Sequence, residues 1–136
     1  MKKKKILITG GLGNLGSWIT EYFIDYFDVD VLTRNDRSVS IEKPFNKIFA
    51  DLTDLDALKK ALNKKSYEYI IHAGSVNDYF VENYNNLSYE VNAFGTRNLI
   101  NAIDLDNLEH FIYLSTFQVY GSYSGEINED SPTLPK

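Results

Sequence analysis

The sequence contains no cysteine. Disulfides, thiolate metal sites and cysteine nucleophiles are therefore excluded from its chemistry. Its two histidines, His72 and His110, are too few for a convincing imidazole metal site. No apolar run is long enough to cross a bilayer. Lys2 to Lys5 resemble the positive start of a secretory signal, but the apolar run behind them, Ile6 to Ile8, breaks at once at Thr9-Gly10-Gly11. An excess of positive charge is also missing. Fourteen Lys and Arg stand against 19 Asp and Glu, a net charge of −5, which argues against a nucleic-acid or anionic-membrane partner. Eight glycines and three prolines in 136 residues do not make a fibrous or disordered composition. The chain does have a 43% hydrophobic and 14% aromatic content, enough to bury one core. The expectation is one soluble, cytoplasmic, globular domain over residues 1–136.

The hydrophobic period alternates along the chain. Ile6-Leu7-Ile8 is a short continuous apolar run, as expected of a strand buried on both faces. Leu15, Trp18, Ile19, Tyr22, Phe23 and Tyr26 then recur at helical spacing and predict one apolar helix face. Val29–Thr33 and the weaker Lys47–Ala50 read as strands. Leu55, Leu58 and Leu62 read as a helix face, with Lys59, Lys60, Lys64 and Lys65 on its wet side. Tyr69–His72 is a fourth strand. A long helix follows through Tyr84, Leu87, Val91, Phe94, Asn98, Leu99 and Ala102, and Phe111–Leu114 is a fifth strand closed by Ser115-Thr116. Strands alternating with helices predict a doubly wound, Rossmann-type α/β fold: a parallel sheet of about five strands with helices on both faces. From Gly121 onward the chain is polar and turn-rich, as a connection to something further would be.

Between the first strand and first helix lies Thr9-Gly10-Gly11-Leu12-Gly13-Asn14-Leu15-Gly16. Gly10 permits a tight turn, Gly13 lets backbone approach a pyrophosphate, and Gly16 lets the helix lie close on the sheet. The strand-turn-helix context gives the pattern its weight. The second strand ends in Thr33-Arg34-Asn35-Asp36. Thr33 stands where an acid would chelate the ribose of NAD, and Arg34 could pair with a 2′-phosphate instead, so NADP is favoured. Asp36 keeps NAD open. Thr53 with Asp56 three residues on makes a helix N-cap pattern, so Asp51 and Asp54 could serve the helix start. His72 reads as a strand-end residue satisfied by backbone. Asn92, unfavourable in mid-helix, could join a buried network bridging helix and sheet.

Taken in order, these motifs resemble the extended short-chain dehydrogenase/reductase family, the NAD(P)-dependent epimerases, dehydratases and reductases that act largely on nucleotide sugars. The glycines match that family's TGxxGxxG, and Asp51-Leu52-Thr53-Asp54 resembles its DLxD element. His72-Ala73-Gly74-Ser75 resembles the HxAA turn, Asn92 to Leu99 the NxxGTxN helix, and Leu114 to Gly121 the SSxxVYG segment. The resemblance implies that Asp51 bonds the adenine amino group, Leu52 packs on the ring, and the backbone of Ala73, Gly74 and Ser75 lines the cofactor. It implies that Thr116, four residues before Tyr120, is the active hydroxyl and Ser115 its structural neighbour.

The same resemblance implies a Tyr base with a Lys four positions later, and no tyrosine of this sequence has one. The sequence is therefore expected to stop before the sixth strand and the substrate-binding region. The parent would be an epimerase, dehydratase or oxidoreductase. The chain itself would bind cofactor, lack catalysis, and leave its fifth strand as an open apolar edge prone to self-association. The alternative is a sensor or scaffold that binds NAD(P) without turnover.

Overall fold

A computed structural model describes residues 3–76, 86–121 and 124–134. Five parallel strands form one sheet: β1 (Lys5–Thr9), β2 (Asp28–Thr33), β3 (Asn46–Phe49), β4 (Tyr69–His72) and β5 (His110–Tyr113), in the order β3-β2-β1-β4-β5. The helices are α1 (Asn14–Phe23), α2 (Leu55–Leu62) and α3 (Thr96–Ala102). The reversal of strand order beside β1 places a crevice at the C-terminal ends of β1 and β4, the place where open sheets of this kind take ligands.

Successive strand residues point to opposite faces, and here both faces are covered. Leu7, Leu32, Ile48 and Ile70 join Leu58, Leu62 and Leu99 on the side of α2 and α3. Ile6, Ile8, Val29, Val31 and Ile71 join Leu12 and Ile24 on the side of α1. That is why Ile6-Leu7-Ile8 of β1 and Ile70-Ile71 of β4 read as unbroken apolar runs. Between β2 and β3 no helix forms among the described residues, and Val39, Ile41 and Phe45 pack on the α1-side core from an irregular segment.

Three expectations need correction. Only part of the expected face of α1 is turned inward: Ile19 and Phe23 pack on the core beside buried Gly16 and Thr20, whereas Leu15, Trp18 and Tyr22, with Tyr26 just beyond the helix, are 59–71% exposed. Close approach decides this. Small residues let the helix sit on Gly11 and Val31, where Thr20 Oγ1 donates to the Gly11 carbonyl, and the rings of Trp18 and Tyr22 are turned outward. Tyr84 of the long helix expected after β4 lies outside the described residues, and the described part is wound as a π-helix over Tyr89–Gly95 before α3, with Phe94 40% exposed. Such wide turns recur at functional sites. Lys65, placed on the wet side, turns inward to the Asp30 carboxylate at 3.0 Å.

Asp30 is nearly fully buried in β2, where it also accepts from Asn46 Nδ2 at 2.9 Å and from the Tyr67 hydroxyl at 2.7 Å. Burial pushes its pKa up, but the three donors outweigh burial and hold it below the usual carboxylate value. At the far edge β5 exposes Ile112 and Tyr113, as the sequence led us to expect.

Candidate functional site: a cleft around the glycine turn

The turn after β1 is built by close contact. Gly10 has φ +67°, a left-handed conformation that costs L side chains, and a Cβ there would run into the backbone of Ala73 and Gly74. A Cβ on Gly16 would overlap the Gly10 carbonyl oxygen. Gly10 N–H donates to the Leu32 carbonyl and Gly13 N–H to the Gly10 carbonyl, at 3.0 and 2.8 Å. Gly13 then caps α1 in an extended conformation, with no side-chain cap and no acid in the first turn. The helix therefore opens with amide donors that have no intrahelical acceptor and a positive dipole end, suited to an anion.

A cleft opens beside this turn. Gly10, Leu12 and Gly13 form one wall, and Ala73, Gly74, Ser75 and Val76 face them. Leu32 and Ala50 line its depth, and Arg34, Arg37, Asp51 and Leu52 complete its lining. Asn14 and Leu15 sit exposed on the first turn of α1, outside that lining. Asn92 does not line the cleft; its side chain grips Val76, which does, accepting from the Val76 amide and donating to its carbonyl, both at 2.9 Å. Thr116 lies beyond β5 at the start of the short helix Phe117–Tyr120, exposed and capping Gln118 N–H at 3.3 Å.

The cap of α2 belongs to Asp54, not Thr53: Asp54 Oδ1 accepts from Ala57 N–H at 2.9 Å. Thr53 instead donates through both its amide and hydroxyl to Asp51 Oδ1, leaving Asp51 Oδ2 toward Arg34. Asp36, which kept an acidic ribose contact open, is paired with Lys47 at 2.6 Å and is not part of the cleft lining. His72 is satisfied by side chains, not by backbone: Nδ1 meets Thr9 Oγ1 and Nε2 meets Thr96 Oγ1. Burial pushes its pKa down to about 4, so the ring is neutral at ordinary pH.

Two residues of the site were assigned no role from the sequence. Arg37 is a second cation on the cleft, visible in the sequence only as another Arg three places after Arg34. Asn98, the last Asn of the NxxGTxN pattern but given no role from it, is buried and donates to the Leu52 carbonyl at 3.1 Å, fixing a residue that lines the cleft.

The NAD dependent epimerase/dehydratase family pattern matches residues 6–136. The chain belongs to this family. Among family relatives, the dTDP-D-glucose 4,6-dehydratase of Mus musculus is 31% identical over 147 residues, covering 97% of this chain and 41% of that protein. A 3 beta-hydroxysteroid dehydrogenase/Delta 5-->4-isomerase of Vaccinia virus is 31% identical over 121 residues, covering 84% of this chain and 34% of that protein. The UDP-Glc/GlcNAc 4-epimerase structure from Campylobacter jejuni superposes with a TM-score of 0.83 at 28% identity, over 98% of this chain and 44% of the other. The Bordetella bronchiseptica enzyme WbmG, solved in complex with NAD, shares the fold with a TM-score of 0.82 at 23% identity, over 99% and 45% of the two chains. The chain thus spans less than half the length of these relatives.

Proposed function

We propose that this chain holds an NAD(P) dinucleotide in the cleft, as the cofactor-binding part of an enzyme that transforms a nucleotide sugar. The observation that carries the reading is the Gly10–Gly16 turn, whose left-handed Gly10 and uncapped helix start open onto a cleft with two arginines at its other end. The pyrophosphate would sit against Gly13 and the amides of Asn14, Leu15 and Gly16. The adenine would lie over Leu52 with Asp51 at its amino group, and Ala73, Gly74 and Ser75 would follow the cofactor toward its nicotinamide end.

Arg34 and Arg37 favour NADPH over NADH, because a guanidinium pairs well with a 2′-phosphate. Asp36, bound to Lys47, is a poor competitor for the ribose hydroxyl. Bound cofactor would supply hydride chemistry. Thr116 is the hydroxyl we assign to orient substrate oxygen, on the family resemblance.

No Tyr in these 136 residues has a Lys four places later, so by itself the chain is read as binding without turnover. The nucleotide-sugar assignment draws on the dehydratase and the 4-epimerase among its relatives. Adding NADPH to the isotopically labelled chain tests the reading. The amide signals of Gly10, Gly13, Gly74 and Ser75 should move together and saturate. Shifts confined to other surfaces would overturn it.

A further inference from the structure

Among the described residues the most completely determined polar chain lies just beneath the cleft. Gly74 N–H donates to Thr9 Oγ1 at 3.0 Å, and Thr9 Oγ1 is in hydrogen-bond contact with His72 Nδ1. On the other side of the ring, Nε2 is 2.8 Å from Thr96 Oγ1, which lies 2.6 Å from the Asn92 carbonyl oxygen. The proton positions follow from counting. Two oxygens at 2.6 Å need a hydrogen between them, and a carbonyl has none to give. The Thr96 hydroxyl must therefore point at Asn92, so the contact with Nε2 requires the hydrogen on Nε2. A neutral ring then has a bare Nδ1, which can only accept, and Thr9 donates to it. Thr9 has a lone pair left for the Gly74 amide. Every donor and acceptor is used once, in one direction: Gly74 to Thr9 to His72 to Thr96 to Asn92.

This chain joins the two walls of the cleft to the helical crossover. Thr9 is the last residue of β1, directly before the glycine turn. Gly74 lies on the facing wall, and Asn92, whose carbonyl ends the chain, grips Val76 with its side chain. The His72 ring packs against Phe111 and Tyr113 of β5, with centroids 6.2 and 5.5 Å away.

We propose that His72 is a positioning residue, held as the Nε2–H tautomer, which fixes the spacing between the glycine turn and the Gly74–Val76 wall. Its effect on cofactor affinity rests on the function proposed above, whereas its tautomer and its hold on the wall do not. The other orientation of the chain would leave the Thr96 and Asn92 oxygens facing each other without a hydrogen.

Nitrogen-15 spectra of the whole chain at neutral pH test the tautomer directly. His72 should show a pyridine-type Nδ1 and a pyrrole-type Nε2. The reverse pattern, an averaged one or a doubly protonated ring would overturn the proposal. The hold on the wall is tested by hydrogen exchange at Gly74 and Val76 in Thr96→Val and Thr96→Ser. The valine variant keeps the shape and loses the acceptor, so both amides should exchange about tenfold faster, the effect of losing one hydrogen bond. Serine should restore wild-type rates. Equal rates in wild type, valine and serine variants would contradict the positioning role. NADPH affinity measured on the same three proteins separates the two readings. Failure of the wild type to bind would count against the cofactor reading alone, with spectra and exchange still deciding the role of His72.

Discussion

Arg34 Nη1 stands 3.8 Å from Asp51 Oδ2, at the outer limit of an ion pair and with both side chains at least one-third exposed. Asp51 spends its other oxygen on Thr53. The guanidinium is thus placed at the cleft by a weak partner that an anionic ligand could outbid. Arg34→Ala should weaken NADPH binding by about tenfold or more, the worth of a charge-assisted hydrogen bond, and change NADH binding much less. Arg37→Ala should act in the same direction. Equal losses for both cofactors, read by calorimetry, would remove the arginines from the 2′-phosphate.

The glycine turn allows a sharper test of geometry. Gly16→Ala puts a methyl group against the Gly10 carbonyl oxygen and Gly11 backbone, neither of which can move without opening the turn. Overpacking of this kind costs about 1–3 kcal/mol. Urea unfolding should show that loss for Gly16→Ala. Gly125→Ala, where a Cβ meets nothing within 4 Å but the φ is +124°, separates the cost of strain from that of crowding. A stable Gly16→Ala with unaltered cofactor affinity would contradict the turn as described.

Acid should destabilise the fold in two stages. His72 is neutral and buried with a folded pKa near 4, below the value of about 6.5 for an unfolded histidine. The unfolded chain therefore binds the proton first, and stability falls as pH drops from about 6.5 toward 4, with a slope of up to about 1.4 kcal/mol per pH unit. Asp30 adds the second stage. Its carboxyl is held below the ordinary value, so its contribution is complete above about pH 4 and lost as pH falls through the lower folded pKa. Denaturation midpoints across pH 7 to 3 measure both. A flat profile between pH 6.5 and 4.5 would contradict the buried neutral ring. Tyr67→Phe, which takes one donor from Asp30, should cost about 1.5–3 kcal/mol at neutral pH.

Trp18 is 71% exposed on α1, beside exposed Leu15 and Tyr22. In dilute solution its fluorescence should be red-shifted and readily quenched by acrylamide. Association of copies through β5, where Ile112 and Tyr113 are exposed, should raise the sedimentation coefficient with concentration and leave Trp18 quenchable. Sedimentation independent of concentration would count against self-association through that edge.

The central strands β1 and β4 were legible because burial on both faces leaves Ile6-Leu7-Ile8 and Ile70-Ile71 as unbroken apolar runs, and the glycine turn because its spacing is dictated by backbone contact. The same features hid what the sequence could not show. Gly16 and Thr20 let α1 sit close through their smallness, so of the large residues at helical spacing only Ile19 and Phe23 reach the core. The partners of His72 lie 63 and 24 residues away, and Lys65 meets Asp30 across 35 residues, separations that carry no local pattern. Asn98 matched the NxxGTxN pattern, but its partner, the Leu52 carbonyl 46 residues away, carried no local signal.

The central claim is that the glycine turn seats a dinucleotide, and titration with NADPH and NADH in parallel tests it most directly. The control is Gly13→Asp, which sets a carboxylate where a pyrophosphate would lie and a Cβ 3.0 Å from the Gly10 carbonyl oxygen. The account predicts saturable binding, tighter for NADPH, that disappears in Gly13→Asp. Binding that survives this substitution unchanged, or a folded wild-type chain that takes up neither cofactor, would contradict it.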